Sequence, residues 1–452
     1  MSQNVGLALL SLITYAVAQQ PGAYTPEVHP SLPSQRCTTS GGCVSVNSSI
    51  VLDANYRWLH NVGGYTNCVN GGFNTTFCPD VETCAKNCAL EGVDYSSYGI
   101  TTKGNALTLN LYTQKGGATS MSSPRVYLLQ DENTYDLFKL LNKEFTFDVD
   151  VSKVPCGING ALYLSEMSAT GGASALNAAG AKYGTGYCDA QCPQQNFFNG
   201  EANLNNTYGS CCNEMDLWEA NNAATALTPH PCNITGPYKC SGAHCGSGSA
   251  HYDGVCDEDG CDYNPYRMGT RSYYGPNMTV DTSRKFTVVT QFPTNDNTTT
   301  GTLKEIRRLY VQDGKVIHNA ALSVAGITPT NAISDSFCSA QKKVFGGTNA
   351  FAQQGGMAGM GGALGRGMVL VFSIWDDAGS GMLWLDSTYP TTSSPTAPGV
   401  ARGPCSTTSG NATDLIAKYP DAAVTFSNIK TGDIGSTFAA TNKTMLRYRD
   451  IN

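Results

Sequence analysis

Between Arg125 and Ile429, segment after segment carries apolar side chains at every second position, and that period decides what the chain can fold into. Arg125–Leu129, Glu144–Val151, Ala161–Met167, Phe286–Phe292, Met368–Trp375 and Val424–Ile429 all read this way. A period of two sends successive side chains to opposite faces of a strand, whereas a helix would gather them into one stripe. Asp313-Gly314, set between Arg308–Gln312 and Lys315–Ile317, predicts a two-residue hairpin because both residue types tolerate positive φ. Only Val81–Cys88 and Thr413–Lys418 suggest short turns of helix, and Gly355–Gly367 fits no element. There is no long linker, charge block or repeat, and Ser387–Pro398 reads as a loop. The expected architecture is all-β: one large, curved, antiparallel β-sandwich of jelly-roll type with long loops, occupying residues 19–438 as a single domain.

Eighteen cysteines, an even number, lie between Cys37 and Cys405 and point to an oxidising compartment. The apolar run Gly6–Ala18, closed by Ala16-Val17-Ala18, reads as a secretory signal over residues 1–18, although no Lys or Arg precedes it. Export to the extracellular space is therefore expected. No later stretch is long and apolar enough for a membrane span. Acceptor sequons at Asn47, Asn74, Asn205, Asn233, Asn277, Asn297, Asn411 and Asn442 suit a glycosylated surface. Cys188, Cys192, Cys211 and Cys212 could be read as a four-thiolate zinc site, but a cysteine-rich exported chain favours disulfides. No metal and no cofactor are expected. A net charge of −7 with no basic stripe argues against nucleic acid. A monomer is expected, and the tail 439–452 has no reading and no carbohydrate-binding module.

The chemistry concentrates in Asn213-Glu-Met-Asp-Leu-Trp-Glu-Ala-Asn221, directly after Cys211-Cys212. Glu214, Asp216 and Glu219 place three carboxylates among apolar residues and an indole. Clustered carboxyls in such a setting cannot all ionise at once, so their pKa values separate, as acid and base chemistry requires. On a regular strand Glu214 and Asp216 share a face, and alternation would send Glu219 to the other. One extra residue between Asp216 and Glu219, accommodated as a β-bulge, would bring all three together. The competing reading of any acidic triplet is a solvated edge strand. Trp375 and Trp384 stand in Ser-Ile-Trp-Asp-Asp and Met-Leu-Trp-Leu-Asp, mixtures that suit stacking and hydrogen bonding to sugar rings, or else a plain apolar core. With two nearby carboxyls and no nucleotide, serine-elbow or HExxH motif, glycoside hydrolysis is the economical chemistry. Carboxyls about 5–5.5 Å apart would retain anomeric configuration, and wider ones would invert. Both on one short segment favours the narrower case.

The chain resembles fungal glycoside hydrolases of family 7, which comprise cellobiohydrolases and endo-β-1,4-glucanases. The resemblance runs from Gln19 to Phe438 and is carried by Thr25-Pro-Glu-Val-His-Pro, Tyr56-Arg-Trp-Leu-His, Gly184-Thr-Gly-Tyr-Cys-Asp-Ala-Gln-Cys-Pro, the Glu214–Glu219 motif, Leu227-Thr-Pro-His-Pro-Cys and Phe426-Ser-Asn-Ile-Lys. It implies Glu214 as nucleophile, Glu219 as acid and then base, Asp216 hydrogen-bonded to the nucleophile, and His230 beyond. It also implies sugar platforms at Trp58, Trp375 and Trp384, with polar groove contacts from Arg125, Asn159, Tyr163, Tyr187, Asp189, Gln191, Arg267 and Arg402. The implied disulfides are Cys37–Cys43, Cys68–Cys88, Cys78–Cys84, Cys156–Cys405, Cys188–Cys212, Cys192–Cys211, Cys232–Cys256, Cys240–Cys245 and Cys261–Cys338. The implied partner is β-1,4-glucan. Short stretches between Cys192 and Cys211 and between Cys245 and Cys256 resemble open-cleft endoglucanases, as do His251 in place of a product-site arginine, Phe73 in place of an entrance tryptophan and Ala89 in place of a cysteine. Asp386-Ser-Thr-Tyr-Pro through Arg402-Gly-Pro-Cys resembles the cellobiohydrolases instead. The expected activity is a secreted endoglucanase, with a cellobiohydrolase as the alternative. A non-catalytic glucan-binding lectin would keep the tryptophans without needing both glutamates.

Overall fold

Two large sheets stack through the apolar faces that the period-two segments generate. The computed structural model describes residues 19–439; the expected signal at 1–18 and the tail from 440 onward lie outside the described residues. One sheet of eight strands runs, neighbour to neighbour, Thr134–Tyr135, Arg125–Asp131, Met368–Asp376, Ile158–Ser165, Glu214–Ala220 and Thr225–His230. Ser49–Leu52 and Leu137–Phe138 pair off this path. The other sheet, of ten strands, is centred on Phe286–Gln291, Lys143–Lys153 and Ala423–Asp433. All pairings in both are antiparallel except Ser34–Thr38, which runs parallel to Ala423–Asp433.

The alternation read from the sequence is what separates the two faces of the eight-stranded sheet. Val126, Leu128, Leu162, Leu164, Leu370 and Phe372 enter one core with Phe145, Phe147, Val149, Phe286, Val288 and Phe426 of the facing sheet. Full burial of side chains of this size contributes roughly 1.5–3 kcal/mol each. Their immediate neighbours Tyr127, Leu129, Ala161, Tyr163, Val369 and Val371 form a second cluster on the opposite face. Because both faces are covered, Met368–Ile374 is apolar at almost every position.

The Asp313-Gly314 hairpin forms as expected: Gln312 pairs with Lys315, and φ is 53° at Asp313 and 71° at Gly314. Expected strand 161–167 instead spans Ile158–Ser165. The strand ends at Ser165, opposite Glu214; the Glu166 N–H still donates to the Asn213 carbonyl at 3.0 Å, and its carboxylate accepts from Asn213 Nδ2 at 2.7 Å and Arg366 Nε at 2.5 Å. Helices Val81–Asn87 and Ala412–Lys418 start at Asp80 and Asn411, whose side chains accept from Thr83 and Asp414 N–H groups. The unplaced glycine-rich stretch is helix Gly356–Arg366, and Asp335–Phe345 is a further helix, which buries Phe337, Cys338 and Gln341. Glycine has poor helix propensity, and burial overrides it here: a Cβ at Gly361 would lie 2.8 Å from Leu303 Cβ. Asp335 Oδ1 accepts from Met357 N–H at 2.9 Å, joining the starts of these two helices.

All nine disulfides pair as the resemblance implies. Cys188, Cys192, Cys211 and Cys212 are spent in two of them, so the alternative zinc reading has no thiolates to use. Among the described residues no helix is long and apolar enough to cross a membrane.

Candidate active site

The acidic segment is the strand Glu214–Ala220, and it carries the extra residue its carboxylates require. Asp216 pairs with Thr228 and Glu219 with Ala226, so three steps along this strand match two along its neighbour. The other edge repeats the offset, with Met215 opposite Leu164 and Trp218 opposite Leu162. The bulge sends both Leu217 and Trp218 into the core, which returns Glu219 to the face of Glu214 and Asp216. Arg308, almost fully buried on the facing sheet, reaches across the core and donates from Nη2 to the Leu217 carbonyl inside the bulge. Burial lowers the Arg308 pKa, and its guanidinium lies 5.8 Å from the rings of both Trp218 and Tyr310.

Each carboxyl on this face has its own set of partners. Glu214 Oε2 accepts from the Ala190 backbone N–H at 3.1 Å. That loop is pinned beside the strand by Cys188–Cys212 and Cys192–Cys211, and by the Cys212 N–H donating to the Asp189 carbonyl. Asp216 Oδ2 faces His230 Nε2 at 2.9 Å. His230 Nδ1 lies 2.8 Å from the Asp257 carbonyl, which can only accept, so Nδ1 carries a proton. Gly260, at φ +64°, lets the chain pass this ring; a Cβ there would sit 2.6 Å from His230 Cε1. Glu219 Oε1 accepts from Asn159 Nδ2 at 3.0 Å, while Asn159 Oδ1 accepts from the Ala220 N–H at 2.9 Å.

These surroundings set the charge states. Burial raises Glu214 well above the usual carboxylate range, reinforced by Asp216 and Asp189 and opposed by His230 and the Ala190 N–H. Burial and then Asp216 push Glu219 up to about 8, against His230 and Asn159. Burial alone would lower His230; the hydrogen bond and charge of Asp216, with Glu214 and Asp257, carry it up to about 10. Burial also raises Asp189, against the Tyr187 hydroxyl, Arg125 and the Gln191 N–H. Glu219 at about 8 keeps its proton near neutral pH, while the His230 imidazolium and the Ala190 N–H favour the anion of Glu214, which sets an acid beside a base.

The residues expected to contact sugar extend from this centre in both directions. Tyr163 and Tyr187 hydroxyls lie 2.9 Å apart, and Tyr187 donates to Asp189 Oδ2 at 2.6 Å. Arg125 stacks 3.4 Å above the Tyr187 ring and bonds Asp53 from Nε and Nη2 at 2.8 and 2.6 Å. Gln191 is exposed, and its Nε2 donates to the Glu258 carbonyl at 3.3 Å. Trp58 lines a cavity of about 200 Å³ together with Asp53, Arg57, Asn67 and Tyr187. On the other side Trp375 and Trp384 lie 6.0 Å apart and pack against a cluster of Met382, Leu385 and Ala226, the last of which pairs with Glu219. Arg402 Nη1 donates to the Trp384 carbonyl at 3.3 Å, and Arg267 pairs with Asp262. His251 bridges Glu258 at 3.0 Å and Asp259 at 2.9 Å. Asn159 stands apart from this group: it has no exposed surface, and both ends of its amide are committed to Glu219 and Ala220. Sequence reasoning missed Arg308, the Ala190 N–H and the Asp257 carbonyl. Two of these are backbone groups with no signature in the residue type, and Arg308 lies in a strand that otherwise reads as ordinary.

The model of glycosyl hydrolase family 7 matches residues 21–438. A cellobiohydrolase of that family from Daphnia pulex is similar at 45% identity over 93% of this chain and 100% of that one, with a TM-score of 0.90. The Humicola insolens endocellulase, also solved as glycosynthase mutants, is similar at 44% identity over 93% and 100%, with a TM-score of 0.83. A cellobiohydrolase from Melanocarpus albomyces, solved with cellotetraose, is similar at 42% identity over 93% and 99%, with a TM-score of 0.86.

Proposed function

Since the chain belongs to glycosyl hydrolase family 7, we propose that it is a secreted, monomeric endo-β-1,4-glucanase that retains anomeric configuration. The observation that carries this reading is the bulge between Asp216 and Glu219, which gathers the carboxyls of one strand onto one face. Glu214 acts as nucleophile: its carboxylate attacks the anomeric carbon while the glycosidic C–O bond breaks and the Glu219 proton passes to the leaving oxygen. Glu219, now ionised, takes a proton from water, whose oxygen attacks the same carbon and releases Glu214. Glu219, pushed up to about 8, is protonated in mildly acidic solution and suits the first step. Glu214 must be ionised, and the groups that favour its anion are His230 and the Ala190 N–H. Asn159 orients Glu219, and Asp216 with His230 sets the charge beside Glu214. Nine disulfides suit extracellular work.

The two cysteines of the Cys192–Cys211 disulfide are only 19 positions apart in sequence, which supports an open cleft and internal cleavage. The segment from Asp386 to Cys405 favours the alternative of cellobiose release from chain ends. Carboxymethylcellulose viscosity separates the two, and a steep fall per reducing end released is the expected result. Slow viscosity loss with almost pure cellobiose would establish the cellobiohydrolase. Glu214→Gln should abolish hydrolysis while cellotetraose still binds; unchanged turnover would discard the mechanism.

A further inference from the structure

Beyond Trp58 the surface carries aromatic groups that hydrolysis does not use. Trp58 and Tyr65 lie 6.0 Å apart with 26° between their planes. Each is backed by a second ring, Trp58 by His60 at 4.1 Å and Tyr65 by Tyr24 at 4.6 Å and 5°. Tyr65 is 74% exposed. Beside it opens a depression of about 560 Å³ lined by Tyr65, Asn67, Asn70, Phe73 and Asn74, with Thr66 and Gly72 and no charged residue. Asn67 lines both this depression and the cavity under Trp58, and its Oδ1 accepts from Trp58 Nε1 at 2.7 Å. The two spaces therefore meet at one indole–amide pair.

Tyr24 is held firmly. The buried Glu91 carboxylate accepts from the N–H groups of Ala23, Tyr24 and Thr25 at 3.1, 3.1 and 2.8 Å, and from His60 Nε2 at 2.8 Å. Gly22 makes this approach possible, because a Cβ there would lie 2.2 Å from the Glu91 carboxyl carbon. Gln20-Pro21 also pairs with Ala89-Leu90. One carboxylate thus fixes the N-terminal segment and the ring that backs Trp58.

We infer that Tyr65 and the depression beside it form an accessory binding site for a β-1,4-glucan chain, outside the hydrolytic cleft and continuous with it through Trp58 and Asn67. The inference rests on the proposed function. Pyranose rings stack their C–H faces on aromatic rings and direct equatorial hydroxyls outward to amides, and the patch offers flat rings interleaved with Asn67, Asn70 and Asn74. An uncharged lining suits a neutral polymer. Such a site would hold a chain of insoluble cellulose while its next segment enters the cleft.

Adsorption of the full chain to microcrystalline cellulose tests this, with turnover of soluble cellotetraose as the control. Tyr65→Ala should weaken adsorption about 3–10-fold, the range that corresponds to loss of one stacking contact. Tyr65→Phe should restore it, and neither should alter cellotetraose turnover. Unchanged adsorption of Tyr65→Ala, or an equal fall in cellotetraose turnover, overturns the inference. So does unchanged adsorption of Tyr65→Ala together with stronger adsorption of Asn74→Gln, which would assign the depression to the protein's own N-glycan. If the wild type cleaves no β-1,4-glucan at all, it is the proposed function that fails; adsorption measures the accessory site separately.

Discussion

Replacing Glu219 by Gln isolates the proposed proton donor, because Asn159 already dictates how the new amide must sit. The Asn159 Oδ1 is committed to the Ala220 N–H, so its Nδ2 must donate to residue 219. The glutamine therefore turns its own Oε1 to Asn159 and leaves an NH₂ where the wild type presents an ionisable oxygen. That group can donate a hydrogen bond but cannot release a proton. At pH 5 a carboxyl with pKa about 8 is protonated about a thousandfold more often than ionised. The variant should lose roughly 10²–10⁴ in turnover of cello-oligosaccharides, whose leaving alcohol needs that proton. Aryl cellobiosides with acidic phenols leave unaided, and their first step should fall by less than about tenfold. Equal losses on both substrates would refute the assignment of Glu219 as acid. Stability supplies an independent readout. The folded protein keeps the Glu219 proton up to about pH 8, whereas the unfolded chain releases it near 4.5. The stability from this group is therefore full below 4.5 and is lost as pH rises through 8, bounded at about 5 kcal/mol. Thermal unfolding at pH 4.5 and pH 8 should show Glu219→Gln gaining on the wild type only at the higher pH. No gain there would mean that burial does not hold the proton.

His230 favours the ionised form of both glutamates, so His230→Asn should move both limbs of the pH–kcat/KM profile upward by about one unit; stationary or falling limbs would remove the imidazolium from the reading. Arg308→Met withdraws the donor from the Leu217 carbonyl at the bulge and should lower kcat about 10–100-fold, with KM within about twofold. Its stability change should be small, since a carbonyl losing its partner costs about 1–3 kcal/mol while release of a buried cation offsets part of that. A large fall in Tm with unchanged kcat per folded molecule would show that Arg308 only supports the core.

Much of this molecule is written in short stretches of sequence. Alternation alone separates Val126 and Leu128, which enter the core between the sheets, from Tyr127 and Leu129 on the other face. The spacing of Glu214, Asp216 and Glu219 is enough to demand a bulge, because strand geometry leaves no other way to bring them onto one face. The disulfide partners were legible only through resemblance, as a cysteine count permits many pairings. Helix Gly356–Arg366 was not legible, since what overrides glycine's poor propensity is the contact of Gly361 with Leu303, far away in sequence. The start of the strand Ile158–Ser165 was not legible either, since Ile158 and Asn159 are held in it by pairing with Asp376 and Trp375, far away in sequence. Periodicity is a local property, fixed by bond geometry that neighbouring residues share, so the sequence by itself determines strands, faces and the need for a kink. Charge state is not local. Burial sets whether Glu219 holds its proton, and Asn159, Asp216, His230 and the Ala190 N–H set how the carboxyls divide their roles. Only tertiary structure brings those groups together in a medium that screens them weakly.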